Sequence, residues 1–169
     1  MPNLIIYGSP NKHSFTMELL EKILLNDLSD YNFFDCFEAK PVPCDGCGYC
    51  KENEGCKFTD LNGFFEDFKK AKEVIFAFPV YNGSFPAPLK SLIDRFQFLY
   101  YDRFFKNRRP PIEGIREVTL VITAGSKIDP LPLITAQLSP LFTVCGCKLK
   151  RAIVLTGTDT VPTLLTKDF

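Results

Sequence analysis

Leu4-Ile5-Ile6-Tyr7-Gly8-Ser9-Pro10-Asn11-Lys12-His13-Ser14-Phe15-Thr16 joins an unbroken apolar run to a loop rich in small and hydroxyl side chains, and leads into a helix. The run is short and almost wholly apolar, the pattern of a strand covered on both faces. Beyond the loop, Leu20, Ile23, Leu24 and Leu28 form one stripe at helical spacing, and Glu18 and Lys22 pair at i,i+4 on another face. Three further runs have the same strand character: Val74 to Phe78, Val118 to Thr123 and Ala152 to Thr156. A weaker fifth, Asn32 to Phe37, contains Asp35 and is assigned to an edge. Between them, Leu61, Phe64, Phe65 and Phe68 predict a helix capped at Thr59 or Asp60. Leu89, Leu92, Ile93 and Phe96 predict another with Pro88 in its first turn, and Pro132 to Thr143 a poorer one. Strand and helix thus alternate, and right-handed crossovers convert that alternation into a doubly wound α/β domain. The expectation is one domain over residues 1–169, with a five-stranded parallel sheet in the order 2-1-3-4-5 and helices on both faces. Arg103 to Pro111 reads as a connecting loop, and there is no internal repeat.

Bulk composition narrows the function. Twenty basic residues balance twenty acidic ones, so no global field favours nucleic acid or an anionic membrane. No apolar run approaches the length needed to span a bilayer, and Met1-Pro2-Asn3 lacks the basic start of a secretory signal. A cytoplasmic location is expected. Seven cysteines is an odd number, and four of them crowd between Cys44 and Cys56, unlike a disulfide framework that staples distant loops. These thiols suit chemistry or ligation.

In an open α/β sheet a ligand sits beyond the carboxyl ends of the strands, where strand order reverses. The loop after the first strand lacks both G-x-G-x-x-G and G-x-x-x-x-G-K-[ST]. It offers instead the hydroxyls of Ser9, Ser14 and Thr16, with Asn11, Lys12, His13 and Phe15, at the positive end of a helix. No Glu or Gln follows Ser14 by three residues to complete a capping box, which leaves amides for a phosphate. His13, the only histidine, is a surface residue on one reading and a phosphate contact on the other. The loop after the third strand, Pro79-Val80-Tyr81-Asn82-Gly83, combines a stiff turn with a flat aromatic face suited to a planar ring. Ala124-Gly125 follows the fourth strand and admits close backbone approach. Each loop alone is an ordinary turn. Together they describe a phosphate pocket beside a ring slot, which is an FMN site.

At these residues the chain resembles the NADPH-dependent FMN reductase family, which has a flavodoxin-like fold. The resemblance rests on Gly8-Ser9-Pro10-x-Lys12-x-Ser14-x-Thr16, on Cys44-Asp45-Gly46-Cys47-Gly48-Tyr49-Cys50, and on Pro79-Val80-Tyr81-Asn82-Gly83. Pro86-Ala87-Pro88-Leu89-Lys90-Ser91-Leu92-Ile93-Asp94-Arg95 completes it, so the match covers roughly the first hundred residues. The resemblance implies that Ser9 to Thr16 hold the FMN phosphate, and that Pro79 to Gly83 and Ala124 to Gly125 frame the isoalloxazine. It further implies an FMN-dependent oxidoreductase that takes electrons from NAD(P)H to a small acceptor such as a quinone, nitro or azo compound, or to a redox protein. A homodimer or tetramer is the implied assembly. No side chain is assigned a catalytic role, because the flavin carries the hydride chemistry. Phe15 departs from the small polar residue usual at its place, and Thr59-Asp60 keeps only the second member of a common acidic pair.

Cys44-x2-Cys47-x2-Cys50-x5-Cys56 is too compact for paired zinc knuckles. It is closer to ferredoxin-type ligation, and iron–sulfur flavoproteins, a neighbouring branch, carry such a motif beside FMN. Two readings stay open at this point: Cys44, Cys47, Cys50 and Cys56 as ligands of a 4Fe–4S cluster, or as reduced structural or redox thiols. Cys36, Cys145 and Cys147 are assigned to apolar packing. A third functional class, a flavodoxin-like binding module without enzymatic activity, is the remaining alternative.

Overall fold

A computed structural model of the chain describes residues 3–25, 28–109 and 111–169. The strands are β1 (Asn3–Tyr7), β2 (Tyr31–Asp35), β3 (Glu73–Pro79), β4 (Arg116–Thr123), β5 (Cys147–Thr156) and β6 (Thr163–Asp168). The helices are α1 (Phe15–Ile23), α2 (Cys36–Ala39), α3 (Tyr49–Glu52), α4 (Asn62–Lys70), α5 (Ala87–Arg95), α6 (Gln97–Phe104) and α7 (Leu131–Cys145). The sheet order is β2-β1-β3-β4-β5-β6, parallel from β2 to β5 and antiparallel between β5 and β6.

The apolar runs are buried on both sides because alternate residues serve two cores. Leu4, Ile6, Val74, Phe76, Phe78, Leu120, Ile122 and Val154 face α4, α5, α6 and α7. Ile5, Tyr7, Ile75, Ala77, Val121 and Ile153 face α1. Helices therefore cover both faces, but unevenly. On the larger side, Phe64, Phe65, Phe68 and Phe96 pack ring to ring, with centroids 5.0–6.0 Å apart and several edge-on. Such pairs add about 0.5–1.5 kcal/mol each beyond the burial itself.

Several expectations are corrected. The sheet has six strands rather than five: the residues after β5 turn at Gly157 to Val161 and return as β6, which buries none of its residues. β2 is an edge strand as expected but stops at Asp35. The Asp35 carboxylate accepts from the amides of Phe37 (2.8 Å) and Glu38 (3.2 Å), so Cys36 and Phe37 start a helix. Leu28 lies beyond the end of α1. Arg103 and Phe104 belong to α6, so the connecting loop begins after them; Pro110 lies outside the described residues. The helix placed at Pro132 to Thr143 runs from Leu131 to Cys145, with Pro140 inside it. Neither Thr59 nor Asp60 caps α4, which starts after Leu61 with no side-chain cap. Cys36 and Cys145 are buried as assigned, whereas Cys147 is half-buried. Among the described residues no helix is long and apolar enough to cross a membrane.

Candidate functional site

The three loops meet at the carboxyl edge of the sheet. Tyr7, at the end of β1, is fully buried and sends its hydroxyl into the first loop. There it donates to the Asn11 carbonyl (2.8 Å) and lies 3.1 Å from Ser14 Oγ. Ser9 is also buried, and its Oγ donates to Ser14 Oγ at 3.3 Å. Ser14 caps α1 by accepting from the Met17 amide at 3.3 Å, and Asn11 Oδ1 accepts from the His13 amide at 2.9 Å. The serine hydroxyls thus shape the loop from within. What they leave over are main-chain donors: among the described residues, the amides of Lys12, Ser14, Phe15 and Thr16 have no acceptor. They stand at the positive end of a nine-residue helix, which favours an anion.

Two expected phosphate contacts behave differently. The Thr16 hydroxyl is buried and pairs with Thr123 Oγ1 at 2.7 Å, so only the Thr16 amide is available to a ligand. Lys12 is exposed but forms an ion pair with Glu38, whose hydrogen bond raises the Lys12 pKa. To reach a phosphate it would leave that partner. Asn11, His13 and Phe15 are exposed on the same loop.

In the second loop, Asn82 and Gly83 have φ of +50° and +73°, between reciprocal hydrogen bonds of Tyr81 and Ser84, both 2.9 Å. This is a two-residue hairpin whose backbone requires the Asn-Gly pair. Its consequence is that Tyr81 projects outward, 46% exposed, as a free aromatic face. α7 supports the turn: Gln137 donates to the Gly83 carbonyl (3.2 Å) and accepts from Ser84 Oγ (2.9 Å). Pro79 and Val80 are half-buried at its base.

Thr123 ties the loops together. Its hydroxyl holds the first loop through Thr16, and its carbonyl accepts the Val80 amide of the second loop at 2.8 Å. Ala124 and Gly125 follow directly, and the Ala124 carbonyl accepts from the Thr158 amide at 3.1 Å. A Cβ on Gly125 would stand 2.2 Å from a carboxylate oxygen of the exposed Asp159 side chain, so the turn between β5 and β6 sits close against this loop. Tyr7, Thr123, Gln137 and Asp159 are the residues here that sequence reasoning missed. Tyr7 and Thr123 stood at the strand ends, but their hydroxyls looked like strand pattern rather than loop anchors.

The four clustered cysteines form a second site with no loop residue in common with the first. Cys44, Cys47, Cys50 and Cys56 all line one open cavity of about 370 Å³, bordered also by Phe58, Arg95, Phe98 and Tyr101. Cys44 and Cys47 are exposed, Cys50 and Cys56 half-buried, and all are free thiols. Burial raises the Cys50 pKa, and the negative charge of Cys56, Cys44 and Cys47 raises it further. Among the described residues no three acidic, Cys or His side chains converge closely enough for a single metal ion. All four cysteines nevertheless border the same cavity.

The chain is 34% identical to an iron-sulfur flavoprotein of Archaeoglobus fulgidus over 109 residues, 61% of this chain and 55% of that protein. It is 38% identical over 69 residues to an iron-sulfur flavoprotein of Methanosarcina thermophila, 40% of this chain and 36% of that one. The chain thus spans about half or less of the length of these relatives. Among solved structures, the NAD(P)H:quinone oxidoreductase from Methanothermobacter marburgensis superposes with a TM-score of 0.70 at 21% identity, covering 94% of this chain and 85% of that one. An FMN-dependent NADH-azoreductase of Bacillus anthracis, solved in complex with FMN, gives 0.65 at 15% identity over 95% and 90%. These likenesses establish the flavodoxin-like fold. Residues 1–156 match the NADPH-dependent FMN reductase family, and the chain belongs to that family.

Proposed function

We propose that the chain binds FMN at the joined loops and passes electrons from NAD(P)H through it to a small acceptor of the quinone or azo class. The observation that carries this is the convergence of three loops on Thr123 beside four unpartnered amides at the start of α1. These residues fit the cofactor. The amides of Lys12, Ser14, Phe15 and Thr16 would hold the phosphate, with His13 and a released Lys12 beside them. The face of Tyr81 and the backbone of Val80 to Gly83 and Ala124 to Gly125 would frame the ring. Bound FMN supplies hydride and single-electron transfer. The protein's part is to bind and orient, and Tyr7, Ser9 and Ser14 do so by holding the first loop in one shape before the ligand arrives. The quinone and azo classes come from the solved neighbours, whose names carry them. Titration of the purified chain with FMN and with riboflavin tests the site. Fluorescence quenching should favour FMN, and equal affinity would refute the phosphate assignment. NAD(P)H oxidation by the FMN-loaded chain with a quinone then tests the activity.

A second reading has its own observation: four cysteines around one cavity, in a chain related to iron-sulfur flavoproteins. On this reading the cavity holds a 4Fe–4S cluster and the protein carries single electrons to a redox partner. Anaerobic reconstitution with ferrous iron and sulfide should give stoichiometric uptake that Cys47→Ser abolishes while FMN binding persists.

A further inference from the structure

Arg95, the last residue of α5, has a completely buried side chain. Its guanidinium meets one carboxylate, Asp60, at 2.8 Å. The other donors go to main-chain carbonyls, Nη1 to Val42 (2.9 Å) and Nη2 to Phe58 (2.9 Å), and the plane lies over the Phe58 ring at 5.1 Å. Nε–H has no acceptor among the described residues. Val42 stands two residues before Cys44, and Phe58 two residues after Cys56. Asp60 closes the arrangement by accepting the Val42 amide at 3.0 Å. One guanidinium therefore draws together both ends of the cysteine segment, and the same residue lines the cavity that the four sulfurs share. A surface pair, Lys57–Asp45 (2.7 Å), bridges the same two ends, and the tip of the segment is held separately, by Lys106 donating to the Asn53 carbonyl (2.6 Å) and by Arg108 with Glu54.

We propose that Arg95 is the positioning residue of the cysteine cavity: it pins the two ends of the segment so that four sulfurs face one space, and it places a buried positive charge with a spare N–H beside that space. The inference rests on the cluster reading above. A set of four thiolates around an iron–sulfide cube is anionic, and reduction adds a further negative charge. Charge and hydrogen bonds near the sulfurs set the potential of such a centre. A cation kept out of water acts at greater strength than a surface one; Asp60, with 29% of its side chain exposed, offsets only part of the Arg95 charge, and the remainder favours the reduced form. The fork geometry matters as much as the charge, because a lysine ammonium cannot serve two carbonyls and a carboxylate in one plane.

Two readouts separate fork from charge. In metal-free, reduced protein, Arg95→Lys should speed alkylation of Cys44 and Cys56 by iodoacetamide by about fivefold, which corresponds to about 1 kcal/mol of lost restraint. In protein reconstituted anaerobically with ferrous iron and sulfide, Arg95→Gln should shift the midpoint potential to more negative values, and Arg95→Lys should retain most of it. If the Arg95 variants do not fold, Asp60→Asn decides the matter. It removes one tie at the partly exposed end of the clamp, and alkylation of Cys44 should rise while far-UV circular dichroism stays unchanged. Wild type that takes up no stoichiometric iron and sulfide would overturn the cluster reading and this inference with it. Wild type that takes up the cluster, with alkylation rates and potentials unmoved in the variants, would overturn the role of Arg95 alone.

Discussion

The Thr16–Thr123 hydroxyl pair offers a quantitative test of how the first and third loops are joined. Both residues are buried, 1% and 4% exposed, and their oxygens are 2.7 Å apart with no other partner for either hydroxyl among the described residues. Thr16→Ala removes one hydroxyl and strands the other away from water. A stranded hydroxyl costs about 1–3 kcal/mol, and the lost methyl adds about 0.8 kcal/mol. Alanine's better helix propensity offsets at most about 0.7 kcal/mol at Thr16. Each single change is therefore expected to destabilise the chain by about 2 kcal/mol, with Thr123→Ala the costlier. The double change leaves nothing stranded. It loses one hydrogen bond of about 1 kcal/mol net and two methyls, about 2–3 kcal/mol in all. The singles would sum to about 4–5 kcal/mol, so the coupling is about 2 kcal/mol. Thr16→Ser, which keeps the oxygen, should cost only the methyl. Urea denaturation of the four FMN-free proteins measures the cycle. Additivity within about 0.5 kcal/mol would show that the two hydroxyls do not bond, and would remove the tie between the first and third loops.

Other expectations follow from the same geometry. Tyr81→Ala should weaken FMN binding several-fold, as loss of a stacking face worth about 1 kcal/mol implies, whereas Tyr31→Ala, whose hydroxyl bonds Glu73 at 3.1 Å, should lower stability and leave FMN affinity alone; equal effects on affinity would reduce Tyr81 to packing. Gly125→Ala should weaken FMN binding by no more than about twofold, because its methyl meets only the end of an exposed Asp159 side chain that can swing aside; a larger loss in an FMN titration, rescued by Asp159→Ala, would show that the carboxylate is held in place. Burial pushes the Asp60 carboxyl up, but the Val42 amide and Arg95 outweigh it and hold it below the usual carboxylate range. A depressed folded pKa contributes stability above the unfolded value of about 3.9, lost as pH falls through the folded value. The stability gap between wild type and Asp60→Asn should thus be constant from pH 5 to 8 and close below about pH 4; a gap that persists at pH 2 would contradict the pairing with Arg95.

The fold was largely legible because its signal is burial. Four strands pass through the centre of two cores, and nothing else explains runs such as Val74 to Phe78 with all five residues buried. Elements without that burial left little trace. β6 is exposed throughout, so its residues show no core alternation; it exists because its backbone pairs with β5 from Arg151–Asp168 to Thr156–Thr163. α6 buries Phe98 and Leu99 but leaves Tyr100 and Phe104 half-exposed, and aromatic residues on the outer face blur a helical stripe. Asp35 marks an edge strand, as its place in an apolar run indicates, and it also marks the strand's end, because its carboxylate accepts from the amides of Phe37 and Glu38. The candidate FMN loops were legible as a set because topology alone brings them to one edge. The internal bonds that hold them, such as Thr16 to Thr123 across 107 positions, were not.

The cysteine cavity shows why a local reading of a polar residue can fail. Asp60 precedes a helical stripe, and a carboxylate there has a local use as a cap worth about 1 kcal/mol. It has a competing use 35 positions away, where Arg95 is buried without another counter-charge among the described residues. A charged bond to a desolvated guanidinium contributes about 1.5–3 kcal/mol, and its absence would leave a cation stranded. The second use wins by magnitude, and α4 begins uncapped after Leu61 as a result. The cysteine spacing was plain in the sequence, yet the cavity walls include Phe58 and residues of α5 and α6, and the ends of the cysteine segment are fastened by the bonds of Arg95 to Val42, Phe58 and Asp60. A compact cysteine motif names the donors. Whether they face one space depends on what fastens the ends of their loop, and here that fastening comes from a helix almost forty residues further along the chain.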